Sequence, residues 1–555
     1  SFINGGTTTI NVTNNNVGPL VSGTPLTTAT GAAQVVGIAT SVINANTVTI
    51  TGNVVHDLSN YAVSSNTGAT GVSVLGILIN NASQNNPIVI NSNTIYNLSN
   101  TANTSLVSFA PYVQGIFLNA GTGATIDVKK NFIHSFSTPN WNLTSLTATA
   151  IPVFAGINTV TGSTVNIINN MIRLGIDGNG NDVTQPIAIR AIYRQATAGT
   201  FNIYHNSVFV GGSNVTPNTA VTQSAALFRQ GSGTAEDIRD NILVNIRSNA
   251  SIGIKNYSVY LGSTTNLTLN YNVYQSSGGN GNLFGFNGSD VAAYAPNWIT
   301  GDANSWFNAP QFINPTGNSS TVDLHINASL STPVEGNGFS VPSVFDDFDG
   351  QTRTGLTPTD IGADAGNFTA LSPCATPNAP TSLILNAVST SQINGSFTAS
   401  LGTIDQYMIV RYPNGAIPVT PVNGAFYAIG NALGSGTIIA MGNATSFNAT
   451  GLFGGTAYDF YVYAQNSYCI GGPLYSSALF GSQSTNACSG LTGIVPIGPG
   501  QPNNATGFTS LTNAMNFMAS NGLIGSTILE LQPTYVGNSS VETFPIVVSN
   551  FPCMG

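Results

Sequence analysis

The stretch Ile90-Asn-Ser-Asn93-Thr-Ile95 decides the fold, because its pattern of apolar residue, two variable residues, Asn, one variable residue and apolar residue recurs along the chain. Seven further copies follow or precede it at intervals of 31 to 40 residues. The repeated asparagines are Asn15, Asn53, Asn93, Asn131, Asn170, Asn206, Asn241 and Asn272. A period of this length is typical of solenoid proteins, in which each repeat stacks on its neighbours.

A second mark precedes the first by 14 to 17 residues and consists of a small residue followed by an apolar one, as in Gly76-Ile77 and Gly115-Ile116. The surrounding segments are rich in Val, Ile and Thr and alternate with a period of two, which predicts short strands and not helices. Stacked strands about 4.8 Å apart would form the coils of a parallel β-helix with an interior of Ile, Val and Leu.

The repeated asparagine suits a tight corner, because Asn tolerates left-handed backbone and its amide can bond an adjacent coil. We therefore expect the eight asparagines to stack as a ladder at one corner of the coils. The alternative is that each Asn merely marks a turn.

The composition limits the function classes. Charged residues make up 6% of the chain and hydrophobic residues 42%, the reverse of what a disordered chain shows. With 11 Lys and Arg and a net charge of −9, the chain is not suited to nucleic acid or to an anionic membrane surface. No apolar run reaches the length of a membrane span, so we expect no membrane insertion.

The repeat resembles the right-handed β-helix of secreted bacterial proteins over residues 1–371. The segment Phe345-Asp-Asp-Phe-Asp-Gly-Gln-Thr-Arg353 is similar to the closing motif of β-helix modules in giant Bacteroidetes surface proteins. The resemblance implies β-helix coils over residues 1–279 and C-terminal coils with a cap over 280–371. It also implies an extracellular location at the cell surface.

Residues 372–485 resemble a fibronectin type III domain, through Pro377-Asn-Ala-Pro-Thr-Ser-Leu and Thr456-Ala-Tyr458, although Phe397 stands where the family has Trp. The resemblance implies a β-sandwich with a tyrosine corner at Tyr458. The four cysteines alone permit three pairings. The resemblance implies disulfides in an exported protein, with Cys374 bonded to Cys469 and Cys488 bonded to Cys553.

Residues 486–555 begin a further module. Phe508, Leu511, Met515 and Met518 form a helical stripe that ends near Gly522, and strands are expected at 526–532 and 544–548. This order resembles the N-terminal cap of another β-helix. We therefore expect a rod or fibre, made either by continuation of one chain or by end-to-end self-association.

One outward column is a candidate ligand site. His56, Tyr96, His134 and Arg173 each stand three residues after a ladder asparagine, so they should stack on one outer face. Such a column is either a strip that binds surface glycans or an exterior polar stack. Arg194 and Arg229 stack similarly, to pair with substrate carboxylates or to lie in solvent.

Calcium is the one cofactor that the sequence suggests, and none is required. Asp177, Asn179, Asn181 and Asp182 have the spacing of a calcium loop, but Ala188 replaces the bidentate Glu. Asp346, Asp347 and Asp349 form a second carboxylate cluster. The alternatives are an ordinary turn at the first place and a salt bridge to Arg353 at the second.

Catalysis is not expected, because glycoside chemistry needs clustered carboxylates on one face. Asp127 and Asp237 share a register but lie three coils apart. Glu236 and Asp240 lie near Arg239, which predicts a solvated edge.

The fold class is therefore all-β, a parallel β-helix followed by a fibronectin-like sandwich and a short helix-plus-strand cap. The favoured function is a non-catalytic structural or adhesive module of an extracellular bacterial surface fibre. The alternatives are a carbohydrate-binding or polysaccharide-cleaving β-helix and a component of a phage or a surface layer.

Overall fold

The structure is a computed structural model in which the chain divides into two compact units, Ser1–Ser372 and Pro373–Gly555. The residues that it describes are 2–3, 9–22, 34–40, 45–61, 72–101, 112–138, 153–216, 223–251, 253–276, 280–356, 359–402, 404–487 and 489–548.

The first unit is a parallel β-helix whose coils each contribute a strand to three long sheets. The first sheet runs through Phe2–Ile3, Val35–Thr40, Val74–Asn81, Val113–Ala120, Phe154–Thr159, Ile189–Arg194, Gln223–Arg229, Lys255–Leu261, Asn282–Phe286 and the antiparallel Asp290–Val291. The second runs through Thr9–Thr13, Thr47–Thr51, Ile88–Asn91, Thr125–Lys129, Thr164–Ile168, Thr200–Tyr204, Ala235–Arg239 and Leu267–Asn270. The third runs through Asn16–Val17, Leu20–Val21, Val54–Asn60, Thr94–Asn100, Phe132–His134, Met171–Leu174, Ser207–Val210, Ile242–Asn245, Val273–Ser276 and Trp306–Phe307.

The alternation of side chains along each strand builds the interior of the coils. In Thr47–Thr51, Val48 and Ile50 are buried while the three threonines are half-buried. Residues of the same type continue in register from coil to coil, as in the buried pair Ile77 and Ile116. Burial of these apolar columns is the main favourable term in the folding of the unit.

The small residue of the second sequence mark lies where the first and third sheets approach closely. A Cβ added at Gly115 would lie 2.6 Å from the carbonyl oxygen of Gly156 and 2.7 Å from Cγ2 of Ile133. Residues 76 and 156 are glycines in the same tight surroundings. The repeated glycine therefore reflects packing between coils and the opposite sheet.

Residues 308–371, here called the closing segment, do not continue the coils, which differs from the expectation of further coils and a cap. The segment contains Phe312–Asn314, Asp323–Ile326, Ser331–Thr332, Thr369–Ala370 and the short 3-10 helix Arg353–Gly355. Its Leu324, Val334 and Ile361 pack on apolar residues of the third sheet, such as Phe209 and Ile242. The later coils carry apolar residues on this outer face because the closing segment covers them.

The second unit opens with an antiparallel sandwich. One sheet contains Thr381–Ala387, Ile393–Thr398 and Ser446–Ala449, and the other contains Ala432–Leu433, Gly436–Gly442, Gln406–Pro413, Ala457–Asn466, Leu474–Tyr475 and Leu479–Ser484. The hydroxyl of Tyr458 accepts a hydrogen bond from the backbone nitrogen of Phe453 at 2.9 Å, which is the geometry of a tyrosine corner. Phe397, which is expected at the position of the family's Trp, is buried against the ring of Tyr407.

After the sandwich, Leu491–Ile497 pairs in parallel with Leu523–Leu531. The helix Leu511–Asn521 lies between these two strands in the chain, and its buried residues pack in one apolar cluster with them. The hydroxyl of Ser510 caps the helix start, and Gly522 with φ of 78° ends it. The predicted strand at 544–548 is wrong, since these described residues form no strand and Pro545 lacks the N–H that a ladder needs.

The all-β fold class, with a parallel β-helix and a fibronectin-like sandwich, is confirmed. Among the residues that the structure describes, no helix is both long and apolar enough to cross a bilayer.

Candidate functional site

The eight repeated asparagines form one hydrogen-bonded column at the corner between the second and third sheets. Asn53 donates from its backbone nitrogen and from Nδ2 to Oδ1 of Asn93, at 3.0 and 2.9 Å. The same pair of bonds joins every consecutive pair in the column. Asn93 also donates to the carbonyl oxygen of Ile50 in the preceding coil, so its amide contacts the coils on both sides.

The residue before each ladder asparagine takes the left-handed backbone, which corrects the expectation that the asparagine itself does so. These residues have φ between 52° and 69° and form what we call the corner line: Asn14, Gly52, Ser92, Lys130, Asn169, His205, Asp240 and Tyr271. The ladder position needs an amide that reaches the adjacent coils, and the turn itself is made one residue earlier. That division explains why the ladder residue is constant while the corner line varies.

The closing segment lies along the corner line. Lys130 pairs with Asp346 at 2.5 Å, and Asp240 Oδ1 accepts the backbone N–H of Phe339 at 2.7 Å. The ring of Phe339 also contacts that of Tyr271, with 5.4 Å between centroids. The segment is therefore fixed by a different partner in each coil that it crosses.

The predicted outward column forms, but solvent reaches only its first part. The rings of His56, Tyr96 and His134 stack with centroid separations of 5.4 and 5.3 Å. His134 and Arg173 are buried, which corrects the expectation of an exposed strip through all four residues. Arg173 donates to the carbonyl oxygens of Ile176 at 2.7 Å and Gly317 at 2.5 Å, because the closing segment covers it.

Burial and the neighbouring positive charge of Arg173 lower the pKa of His134 to about 3. The imidazole is therefore neutral at ordinary pH, and its Nδ1 lies 2.8 Å from the hydroxyl of Ser135. His134 serves as a fixed member of the stack and not as an exposed cation.

A polar groove of about 410 Å³ lies on the outer face of the third sheet, and its lining includes Asp57, Asn97 and Ser135, each the residue that follows a ring of this stack. Its floor carries the column Val21, Ser59, Ser99 and Ser137, which the strand register aligns. Its other lining residues are Pro19, Asp57, Asn97, Ser135, Asp177, Gly178, Asn179 and Ser319. The sequence analysis does not predict this groove, although a serine stands six residues after the ladder asparagine in three successive coils, as Ser59, Ser99 and Ser137.

The calcium-loop candidate is a tight turn whose carboxylates already have partners. Asp177 Oδ1 accepts the backbone N–H groups of Asn179 at 2.9 Å and Asn181 at 2.8 Å. Asp182 Oδ2 accepts the N–H of Ser213 at 3.0 Å. A calcium ion here would have to replace these bonds, so calcium binding stays a prediction.

Asp346, Asp347 and Asp349 do not converge on one point, which corrects the second calcium candidate. Asp346 pairs with Lys130, Asp347 is buried and accepts the N–H of Gln351 at 2.7 Å, and Asp349 lies 2.9 Å from Nε2 of His325. The proposed salt bridge to Arg353 is absent among the described ion pairs. Arg353 donates instead to backbone carbonyls, including that of Gly362 at 2.6 Å.

A group that the sequence did not indicate contains His325, Asp349 and Asp364, whose ligand atoms lie within 4.8 Å of one another. His325 already places its ring nitrogens 2.6 Å from Asp323 and 2.9 Å from Asp349. Burial alone would lower the pKa of His325, but the hydrogen bond to Asp323 and the surrounding carboxylates raise it. The arrangement therefore favours an imidazolium held between carboxylates.

The predicted solvated edge around Glu236 is wrong, because this carboxylate is buried between two buried arginines. Glu236 Oε2 accepts from Nε of Arg229 at 2.5 Å, and its other oxygen accepts from Arg194. Burial lowers the pKa of Arg194 to about 10, even though Glu236 opposes the change. The pair of this region that solvent partly reaches is Asp237 with Arg239.

A second cleft, of about 340 Å³, lies between the corner line and the closing segment and is lined by His205 and Arg353. Nε2 of His205 lies 3.6 Å from Oδ2 of Asp240. Burial raises the pKa of Asp240 to about 8, against the hydrogen bond from Phe339, and lowers that of His205 well below its usual range. At neutral pH the pair is mainly uncharged.

In the sandwich unit, Cys374 and Cys469 form a disulfide with their Cα atoms 4.9 Å apart. The second expected pair, Cys488 and Cys553, lies outside the described residues.

No protein-family model and no curated protein matches the chain. Solved structures match about a fifth of it. A fibronectin type III domain of human collagen XX is 24% identical and covers 21% of this chain and 100% of its own, with a TM-score of 0.15. The FN5 domain of Drosophila Lar is 20% identical and covers 20% of this chain and 99% of its own, with a TM-score of 0.14. A redesigned β-sandwich protein is 14% identical and covers 21% of this chain and 95% of its own, with a TM-score of 0.16.

Proposed function

We propose that this chain is a non-catalytic structural and adhesive module of an extracellular bacterial surface fibre, built from β units joined end to end. The observation that carries the proposal is the unbroken asparagine column. Every amide in it bonds a neighbouring coil, so the solenoid is held together along its axis by buried hydrogen bonds as well as by its apolar interior. Such a coil stack resists changes of length and bending, which suits a spacer.

The positions of the carboxylates support a non-catalytic role. Each acidic residue of the first 275 positions hydrogen-bonds another group of the protein, and those residues are Asp57, Asp127, Asp177, Asp182, Glu236, Asp237 and Asp240. Asp127 and Asp237 share a column but are separated by Asn166 and Asn202. A pair of free carboxylates facing one bond is what hydrolysis of a glycoside requires.

The disulfide supports an extracellular location, because such bonds persist in oxidising compartments. The similarity of the 345–353 segment to closing motifs of Bacteroidetes surface modules supports the cell surface in particular. Neither calcium nor another cofactor is part of the proposal.

The test is immunogold electron microscopy of the producing organism with an antibody raised against the purified chain. We expect gold on filaments outside the cell, and purified chain that forms end-to-end oligomers in light scattering. Labelling confined to the cytoplasm would overturn the proposal. Release of reducing ends from polygalacturonate or neutral glycans by the purified chain would overturn its non-catalytic part.

A further inference from the structure

We propose that the polar groove of the third sheet binds a short segment of a neutral polysaccharide chain. This inference rests on the adhesive role proposed above and gives that role a ligand class. The groove measures about 410 Å³, within the range of roughly 300–1,000 Å³ that is common for ligand sites.

The floor of the groove repeats the same chemistry in successive coils. Ser59, Ser99 and Ser137 are half-buried, lie in register, and make no side-chain hydrogen bond to another described residue. A serine hydroxyl both donates and accepts, which matches the hydroxyls of a sugar. Because coils rise by about 4.8 Å, the column from Val21 to Ser137 is about 14 Å long and matches roughly three sugar units of an extended chain.

The walls of the groove add amide and carboxylate groups at its edges. Asn97 donates from Nδ2 to Oδ1 of Asp57 at 3.0 Å, so both side chains are held in place before a ligand arrives. The turn at Asp177 and Asn179 lines the groove together with Ser319, and the N–H of Ser319 bonds the carbonyl of Gly178 at 2.9 Å. Groups fixed in this way lose little conformational freedom on binding.

The charge of the groove favours a neutral ligand. Two of its lining residues are Asp57 and Asp177, and no Lys or Arg stands among the described residues that line it. A uronate, a sulfated glycan or a nucleic acid would meet like charge here. Arg173 is the buried cation that lies closest in sequence to the lining residue Asp177, and its guanidinium donates to backbone carbonyls.

The aromatic stack of the third sheet is not among the residues that line the groove, and it offers no platform for sugar rings. The faces of His56, Tyr96 and His134 cover one another, with interplanar angles of 13° and 5°. A sugar therefore cannot stack on these faces as it does on an exposed tryptophan. Binding must rest on hydrogen bonds, and we expect dissociation constants in the micromolar to millimolar range.

The test compares three forms of the full chain by calorimetry and by ligand-observed NMR: wild type, Ser99→Tyr and Thr49→Tyr. Ser99→Tyr fills the centre of the groove, while Thr49→Tyr places the same ring on the outward face of the second sheet. Tyrosine is favourable at both strand positions, and circular dichroism verifies that each variant is folded. The neutral probes are cellohexaose, mannohexaose and laminarihexaose, and the charged probe is hexagalacturonate.

We expect at least one neutral hexasaccharide to bind wild type and Thr49→Tyr equally, with binding to Ser99→Tyr weaker by about tenfold or more. Absence of binding by all three neutral probes to folded wild type would overturn the inference. So would equal binding by the two tyrosine variants, or tighter binding of hexagalacturonate. Microscopy of the fibre uses no sugar, so failure of this inference and failure of the proposed function can be told apart.

Discussion

At the scale of single residues, the ladder asparagine carries more than any other side chain of the coil. Asn131 accepts two bonds from Asn93 and donates to Asn170 and to the carbonyl of Ile90, all within a buried column. Serine, aspartate or glutamine cannot reproduce this set, because each lacks a donor, an acceptor or the correct reach.

We expect Asn131→Ala to destabilise the solenoid by roughly 3 kcal/mol or more, because it removes the buried acceptor of both the backbone N–H and one amide N–H of Asn93. Urea denaturation measures the change. Asn166→Ala is the matched control, since Asn166 faces outward on the second sheet, and its effect should stay below about 1 kcal/mol. Equal losses in the two variants would contradict a special role of the ladder.

The ladder could be predicted from the sequence because its period and its residue type are both visible there. Its left-handed partner could not, since the corner line holds Gly, Ser, Lys, Asn, His, Asp and Tyr and shows no common residue type. The turn is made by backbone geometry that the column of amides enforces. No composition rule assigns a left-handed φ to Tyr271 or Lys130.

At the scale of elements, the buried ion pairs depend on contacts between coils that no single repeat displays. Arg194 and Arg229 share a register, which is visible in the sequence, but their partner Glu236 belongs to the next strand of the coil. From sequence alone, Glu236 is expected at a solvated edge and the two arginines in solvent or against substrate carboxylates, because charged residues are rarely buried.

Glu236→Gln should destabilise the solenoid by about 3–5 kcal/mol, because it leaves two buried guanidinium groups without a counter-charge. Chemical denaturation provides the measurement. Asp237→Asn breaks the partly exposed pair with Arg239 and should cost about 1 kcal/mol or less. A loss for Asp237→Asn as large as that for Glu236→Gln would refute the burial argument.

The contact between Asp240 and the closing segment should make stability depend on pH. The carboxyl has a pKa of about 8 in the folded protein and 3.8 in its ordinary state, so between these values the folded form holds the extra proton. Stability from this group is therefore present at low pH and is lost as pH rises through about 8. Between pH 6.5 and 8, wild type should lose about 2 kcal/mol relative to Asp240→Asn.

The measurement is the unfolding free energy of wild type and Asp240→Asn at several values of pH in that window. The buried histidines do not disturb it, because burial lowers the pKa values of His134 and His205 and keeps both neutral there. Parallel pH profiles for the two proteins would show that Asp240 is ionised in the folded state.

At the scale of the whole molecule, the two units are stabilised by different means. The solenoid depends on repeated contacts between neighbouring coils, whereas the sandwich has a core around Phe460 and Ile409, a second buried cluster around Tyr412, and a disulfide. The two units can be separated from the sequence, because the asparagine repeat ends well before Cys374, near which the fibronectin-like pattern begins. The closing segment was harder to place, since its apolar residues follow no period.

Replacing both Cys374 and Cys469 by Ser should destabilise the sandwich by about 4 kcal/mol, because the bond closes a loop across 95 residues. Hydrogen exchange measured by mass spectrometry should then rise in the sandwich strands, while amides of the asparagine column keep their protection. Loss of protection throughout the solenoid would contradict independent stabilisation of the two units.

The closing segment also limits how the number of coils can change during evolution. Because it meets Lys130, Asp240 and Tyr271 at set distances along the corner line, deleting or duplicating a coil among them would shift every later partner out of place. Among the described residues, the closing segment contacts no corner-line residue that precedes Lys130. Relatives of this chain should therefore vary in length by insertion or loss of coils near the N-terminal end of the solenoid, and keep the later coils fixed in number.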